Sequence, residues 1–391
     1  MSGTKEYLDD FSSVTFEEKP FCDGDAIAFC EITYLPFEKV VSPSFDDEPV
    51  DFVRTSNRLY FSDEHNLSKI GLFISHDLGK RLMVMADGKR YAGMKIAAFR
   101  RFYNTNPAVQ FAAGTFILPD GTLVVSFQGT DDTLAGWKED LDFFVHRQSP
   151  AYEYALTYIN ELAEKFSDGE IILLGHSKGG HEALYTALKC SPEIRSRIKY
   201  LYNNDGPGFY DRSFFRTGAY DELLEKGCYR HYVPSSSFIG MLMSHDYDYK
   251  AIKSTKHVGM LQHDMETWQF ENGDLITVPD TDAVSKVTDV FLAKLIGRTD
   301  DNSLSALDRV MTDIISGTGQ ETLTGLSKNA VSAVKGVKKA WDNIEPDVKT
   351  AFKGAFSGSG KLIKESINTV KEKGNSIKED VRKVIELAEA K

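Results

Sequence analysis

The rhythm of apolar and polar positions changes several times along the chain. Ala112–Leu118 and Thr122–Phe127 are short, strand-length runs on either side of Pro119-Asp120-Gly121, a turn sequence, and they predict a hairpin. From Ala151 to Ser167 the spacing becomes helical. Ala155, Ile159, Leu162 and Phe166 fall on one face, and Asp168-Gly169 ends the helix. Ile171–Leu174 is apolar at every position, which predicts a short strand buried on both faces, of the parallel type. A helix is expected from Lys178 to about Cys190 and a further strand over Ile198–Asn203. Helix, strand, helix and strand in succession imply a mostly parallel sheet covered by helices, an α/β fold.

A second kind of pattern begins near Gly297–Asp301. Beyond it there is no tyrosine, and Ala, Val, Lys, Gly and Ser take over. Val334, Val337, Trp341, Ile344 and Val348, then Ile363, Ile367, Val370, Ile377, Val381 and Val384, make a narrow apolar stripe at helical spacing. Gly354–Gly360 interrupts it as a hinge. The expected organisation is a globular body over 1–300 and an amphipathic, helical, Lys/Ala/Val-rich extension over 301–391.

Charge sharpens this division. The whole chain of 391 residues carries −12, but residues 301–391 hold 15 basic and 13 acidic side chains, a net of +2. The first 300 residues therefore carry −14, and an acidic body disfavours a phosphate backbone as partner. Nucleic acid is not expected. The extension is expected to pack on the body or a protein partner, to meet a membrane surface through its stripe, or to stay disordered. No run approaches the ~18 apolar residues of a spanning helix. The N-terminus lacks a basic start followed by an apolar stretch, and the four cysteines show neither metal-ligand spacing nor a dense framework. A cytoplasmic protein, free or peripheral on membranes, is the expectation.

The chemistry starts at Ile171–Gly180, IILLGHSKGG. Gly175-His176-Ser177-Lys178-Gly179 fits G-x-S-x-G, with an apolar strand directly before it and a helix directly after. A serine forced into a sharp strand-to-helix turn needs small residues two positions away on each side, because side chains there would collide across the bend. Ser177 is therefore the candidate nucleophile. The N–H groups of the following helix, beginning with Lys178, would face a developing oxyanion.

A serine hydroxyl is inert at neutral pH without a base. The α/β-hydrolase order of serine, acid, histidine leaves the histidines downstream of Ser177. His181 lies one helical turn on and points elsewhere. His263 in Leu261-Gln262-His263-Asp264 is preferred, with His245 and His257 as alternatives. For the acid, Asp205 follows the strand Ile198–Asn203 and opens Gly206-Pro207-Gly208, at the carboxyl edge of a parallel sheet where catalytic groups gather. An Asx-turn is the competing account of Asp205. Asp264, Asp246 and Asp248 are weaker candidates. Gly129-Thr130, at the end of the hairpin's second strand, reads from the residues alone as a plain turn.

Taken together, Asp25–Glu38 (DAIAFCEITYLPFE), Val125–Phe143 (VSFQGTDDTLAGWKEDLDF), GHSKGG, Asn203–Phe209 (NNDGPGF) and Gln262–Trp268 (QHDMETW) resemble class 3 lipases, and more closely the bacterial Mbeg-like branch. The resemblance spans roughly residues 20–275. It implies an α/β-hydrolase fold, Ser177 as nucleophile, and Thr130 as the oxyanion-hole residue after the strand-end glycine. It also implies Trp137 and Asp140 as packing and helix-positioning residues. The chain departs from that group in three places. Gln128 stands for the usual arginine and Lys178 for the usual leucine. Val233-Pro234-Ser235-Ser236-Ser237, where the acid is usually found nearby, has no carboxylate. The loop at 205–209 is instead similar to the acid loop of pancreatic-type lipases, which again favours Asp205.

The expected activity is hydrolysis of carboxylic esters with hydrophobic acyl groups, through Ser177, His263 and Asp205, with the N–H groups of Thr130 and Lys178 as oxyanion hole. No metal or organic cofactor is required. Gly358-Ser359-Gly360-Lys361 lacks the first glycine and the final hydroxyl of a phosphate loop, and His245-Asp246-Tyr247-Asp248 reads as a polar loop before it reads as a metal site. The alternative is a weak or inactive hydrolase fold that acts as a binding or membrane-associated module through its extension.

Overall fold

The computed structural model describes residues 3–63, 77–105, 108–131, 149–209, 211–237, 239–243, 246, 248–256 and 259–281. The striped extension, Trp137, Asp140, His245 and His257 lie outside the described residues.

Among the described residues the central feature is a sheet of eight strands whose spatial order equals their chain order. They are β1 (Val50–Asp51), β2 (Lys95–Thr105), β3 (Ala108–Ile117), β4 (Leu123–Phe127), β5 (Ile171–His176), β6 (Ile198–Asn204), β7 (Tyr229–Pro234) and β8 (Lys250–Ile252). The pairings up to β4 are antiparallel, and the four from β4 to β8 are parallel. The expected hairpin is β3–β4, with Phe116 opposite Val124 and Ile117 opposite Leu123. Asp120 Oδ1 accepts from Thr122 N at 2.9 Å to close its turn.

Helices α1 (Gly3–Phe11), α2 (Asp23–Ile32), α3 (Phe52–Asp63) and α4 (Leu78–Asp87) come from the N-terminal segment. The later ones are α5 (Ala151–Lys165), α6 (Lys178–Lys189), α7 (Pro192–Ser196) and α8 (Gly218–Glu225). Successive parallel strands added in one direction by right-handed crossovers must carry their helices on one face. Accordingly Leu173, Val125 and Leu201 pack with Ala155, Ile159 and Leu162 of α5 and Ala183, Leu184 and Ala187 of α6. The opposite face would be left bare, and the N-terminal helices cover it. Ile172, Leu174, Val124 and Phe116 pack there with Ala26, Ile27 and Phe29 of α2 and Leu78, Leu82 and Met85 of α4. The fully apolar run of β5 thus divides residue by residue between two cores, each buried Leu or Ile contributing ~1.5–3 kcal/mol.

The N-terminal layer is pinned by a buried ion pair. Arg90 and Asp25, both without side-chain exposure, meet at 2.5 Å. Tyr7 and Tyr91 donate to Asp25 Oδ1 at 2.9 and 3.0 Å. Such a pair is tolerated inside a core only when its remaining lone pairs are filled, and here the two phenols fill them. No helix among the described residues is long and apolar enough to cross a membrane.

Candidate active site

β5 ends at His176 and α6 begins at Lys178, so Ser177 alone makes the turn between them. Its backbone sits at φ 58, ψ −131, a region non-glycine residues rarely enter. The flanking glycines explain how the bend closes. A Cβ on Gly175 would lie inside the backbone of Gly179 and 2.6 Å from Gly180 N, and one on Gly179 would overlap Phe127 at the end of β4. Ser177 accepts from Gly180 N at 3.0 Å and His181 N at 3.2 Å through its carbonyl, so the first turn of α6 grows directly from the strained residue.

The candidate base and acid converge on this point from far along the chain. His263 Nδ1 lies 2.7 Å from Asp205 Oδ2, with 6% of the histidine side chain and none of the carboxylate exposed. Asp205 is carried on the first residue past β6 at φ 52. Its Oδ1 accepts from Ser237 Oγ at 2.6 Å and from Gly240 N at 3.1 Å. A buried carboxylate is costly unless hydrogen bonds replace its water, and these three supply them. The carboxylate orients Nδ1–H, which leaves Nε2 as the basic nitrogen. The Asx-turn alternative for Asp205 is not what its side chain does. Ser237 belongs to the Val-Pro segment, which supplies a hydroxyl to Asp205 where a carboxylate is usual in the resembled group.

His263 is brought to the elbow by His176. The two rings are 4.3 Å apart between centroids, and His176 Nε2–H donates to His263 O at 2.9 Å. Burial drives the His176 pKa well below that of a free imidazole, so the ring stays a neutral donor. Trp268 stands edge-on to His176 and donates Nε1–H to Gln262 O at 2.7 Å. Gln262 in turn accepts from Ser236 N at 2.8 Å. The Gln262–Trp268 stretch therefore carries both His263 and the brace that holds its loop.

The remaining candidates sort by geometry. His181, five residues from His176, faces Pro207 O at 3.1 Å and Tyr152 Oη at 2.5 Å, and burial lowers its pKa to about 4. It packs the 205–209 loop against α6 and has no part beside His263. Asp264 does not meet His263's ring nitrogens; it accepts from Glu266 N at 3.0 Å, and burial raises its pKa to about 6. Asp246 pairs with a different histidine, His231, at 3.1 Å. Asp248 accepts from Tyr220 Oη at 2.8 Å.

Gly129 comes up against the elbow: a Cβ there would lie 2.5 Å from His176 O and 3.2 Å from Ser177 Cβ, and would overlap Tyr34 Oη. That approach sets the half-exposed Thr130 next to the turn of Ser177. The side chain of Lys178 is buried, and its Nζ donates to Gln110 O at 2.6 Å and Gln110 Oε1 at 3.0 Å on β3. Sequence reading missed Ser237, Gly240, His176 and Gln110. Only the glycine at 240 and the polar residues of the Val-Pro segment hinted at a tight polar loop.

Gln128, in place of the arginine usual in the resembled group, is fully buried, and both its amide atoms lack a hydrogen-bond partner among the described residues. An unpaired buried amide costs about 1–3 kcal/mol. Gln128→Met, which keeps the length and removes the polar atoms, is expected to raise the midpoint of urea unfolding by the equivalent of about 1–2 kcal/mol. An unchanged or lowered midpoint at constant m-value would contradict it.

Comparison with curated proteins gives no match, and comparison with solved structures gives none either. Among protein families, the one described as Mbeg1-like matches residues 85–312, which takes in the sheet from β2 to β8, the elbow, Asp205 and His263. With more than half its length inside that match, the chain belongs to the Mbeg1-like family.

Proposed function

We propose that the chain is a serine hydrolase of α/β-hydrolase fold, cleaving carboxylic esters of lipids or other hydrophobic acyl groups. The observation that carries this reading is the buried His263–Asp205 pair at 2.7 Å, tethered through His176 to the strained turn of Ser177. Nucleophile, base and orienting acid come from β5, a distant loop and the end of β6, a convergence that packing alone does not call for.

In this reaction Ser177 Oγ attacks the ester carbonyl while His263 Nε2 takes its proton. Asp205 holds Nδ1–H and stabilises the imidazolium. The carbonyl oxygen becomes an oxyanion between the backbone N–H groups of Lys178 and Thr130. The tetrahedral species expels the alcohol, which leaves with the proton from His263. Water then attacks the acyl-enzyme with His263 again as base, releasing the carboxylic acid and restoring Ser177. The binding-module alternative drew on the missing carboxylate of Val233–Ser237; Asp205 at His263 removes that reason for preferring it.

A fluorophosphonate probe incubated with the full chain is expected to leave one adduct, mapped by peptide mass spectrometry to the segment containing Ser177. A folded chain that takes no adduct, or takes it on another residue, overturns the reading.

A further inference from the structure

Lys178 is an expensive residue where it stands. A cation in the first turn of α6 opposes the helix dipole, and the residue is only 8% exposed, so its ammonium has given up most of its water. A leucine would fill this position at no electrostatic cost. The return on that cost lies in what the ammonium holds. Gln110 is itself buried, and its two amide atoms are used in opposite directions: Oε1 accepts from Lys178 Nζ at 3.0 Å, and Nε2 donates to Gly129 O at 3.3 Å. A continuous chain therefore runs from Lys178 through Gln110 to the peptide bond between Gly129 and Thr130.

That peptide bond is the one whose N–H belongs to Thr130. In a trans peptide the C=O and N–H vectors point in opposite directions, so fixing Gly129 O on one side aims Thr130 N–H on the other. The other oxyanion donor is the backbone N–H of Lys178. One side chain thus ties the residue carrying the first donor to the peptide carrying the second. We propose that Lys178 and Gln110 are positioning residues that set the direction of the Thr130 N–H and hold the two halves of the oxyanion hole in register. Lys178 also dictates the amide's orientation: an ammonium has no acceptor, so only Oε1 can face it, and Nε2 must face Gly129. This inference rests on the hydrolase reading of Ser177, His263 and Asp205.

The test uses Gln110→Glu in the full chain. The glutamate keeps an acceptor for Lys178, so the buried ammonium stays paired, but it replaces the donor to Gly129 O with an oxygen that repels it. Turnover of a p-nitrophenyl ester is expected to fall about 10- to 100-fold in kcat, less than the ~100- to 1,000-fold of a deleted donor, with KM within twofold. The inhibition constant of a trifluoromethyl ketone, whose hemiketal oxygen on Ser177 mimics the oxyanion, is expected to weaken by the same factor. Lys178→Met, which frees the amide to rotate, is expected to give the same pattern in a milder form. Wild-type turnover with unchanged kcat and ketone affinity in both variants overturns the positioning role and leaves the hydrolase reading standing. A wild-type chain that neither turns over ester nor binds the ketone overturns both. Should Gln110→Glu not fold, Lys178→Met decides by the same two readouts.

Discussion

Asp205→Asn is expected to lower kcat for a soluble ester about 10⁴-fold while leaving the fold in place. The prediction follows from how the carboxylate is held. Asp205 Oδ1 faces Gly240 N–H, a group that can only donate, at 3.1 Å, and Oδ2 faces His263 Nδ1 at 2.7 Å. An asparagine must keep its carbonyl oxygen toward Gly240 and so turns its NH₂ toward His263. Nδ1 then becomes an acceptor, the proton moves to Nε2, and the nitrogen that should take the Ser177 proton is already occupied. The backbone does not object, because Asp205 sits at φ 52 and asparagine enters that region more readily than other side chains. Asp264→Asn is the matched control. Its carboxylate caps the next turn and does not reach the ring nitrogens, so turnover is expected to stay within a few-fold. A loss below tenfold for Asp205→Asn, or an equal loss for Asp264→Asn, would remove Asp205 from the reaction.

What the amino-acid pattern disclosed, and what it hid, divides along chain separation. The elbow is written into ten consecutive residues: an apolar run, glycines on both sides of one serine, then a helix. Asp205 was legible because it follows a strand end directly. The clamp on Asp205 was not, since Ser237 and Gly240 lie 32 and 35 residues away and nothing local distinguishes them. The contact from Lys178 to Gln110 spans 68 residues, and that from His176 to His263 spans 87. β2 also escaped prediction. Its register shifts between Ile96 and Phe99, and Ile96, Ala97, Ala98 and Phe99 are all buried, so the alternation that marks a strand is broken at its start. Gln128 and Lys178, two of the three departures from the resembled pattern, turn out to flank the same loop. One leaves its amide unpaired and the other recruits a distant glutamine. Polar residues that break local rules beside a strained serine belong to a site shaped by something other than stability.

That strain gives the second large effect. Gly175→Ala is expected to destabilise the chain by more than about 4 kcal/mol, enough to consume much of a typical domain's stability. Most glycine-to-alanine changes are mild because the new methyl finds space or pushes aside a flexible side chain. At Gly175 the methyl would occupy the backbone of Gly179 and come within 2.6 Å of Gly180 N, and neither can retreat. Gly179 is itself pressed on Phe127 O at the end of β4, and a Cβ on Gly180 would lie 2.5 Å from Asn203 Oδ1 on β6. Moving α6 away would open the packing of Ala183, Leu184 and Ala187 against Val125, Leu173 and Leu201, so the clash is paid in core contacts. Gly218→Ala provides the contrast. A Cβ there meets nothing within 4 Å, and the residue opens helix α8 without a positive φ. Its stability is expected to stay equal or rise by about 0.4–1 kcal/mol. Urea unfolding followed by circular dichroism reads both. A Gly175→Ala chain that unfolds within about 1 kcal/mol of wild type would mean that β5 and α6 do not meet at the distance their glycines allow, and with it the tight elbow that presents Ser177 would have to be abandoned.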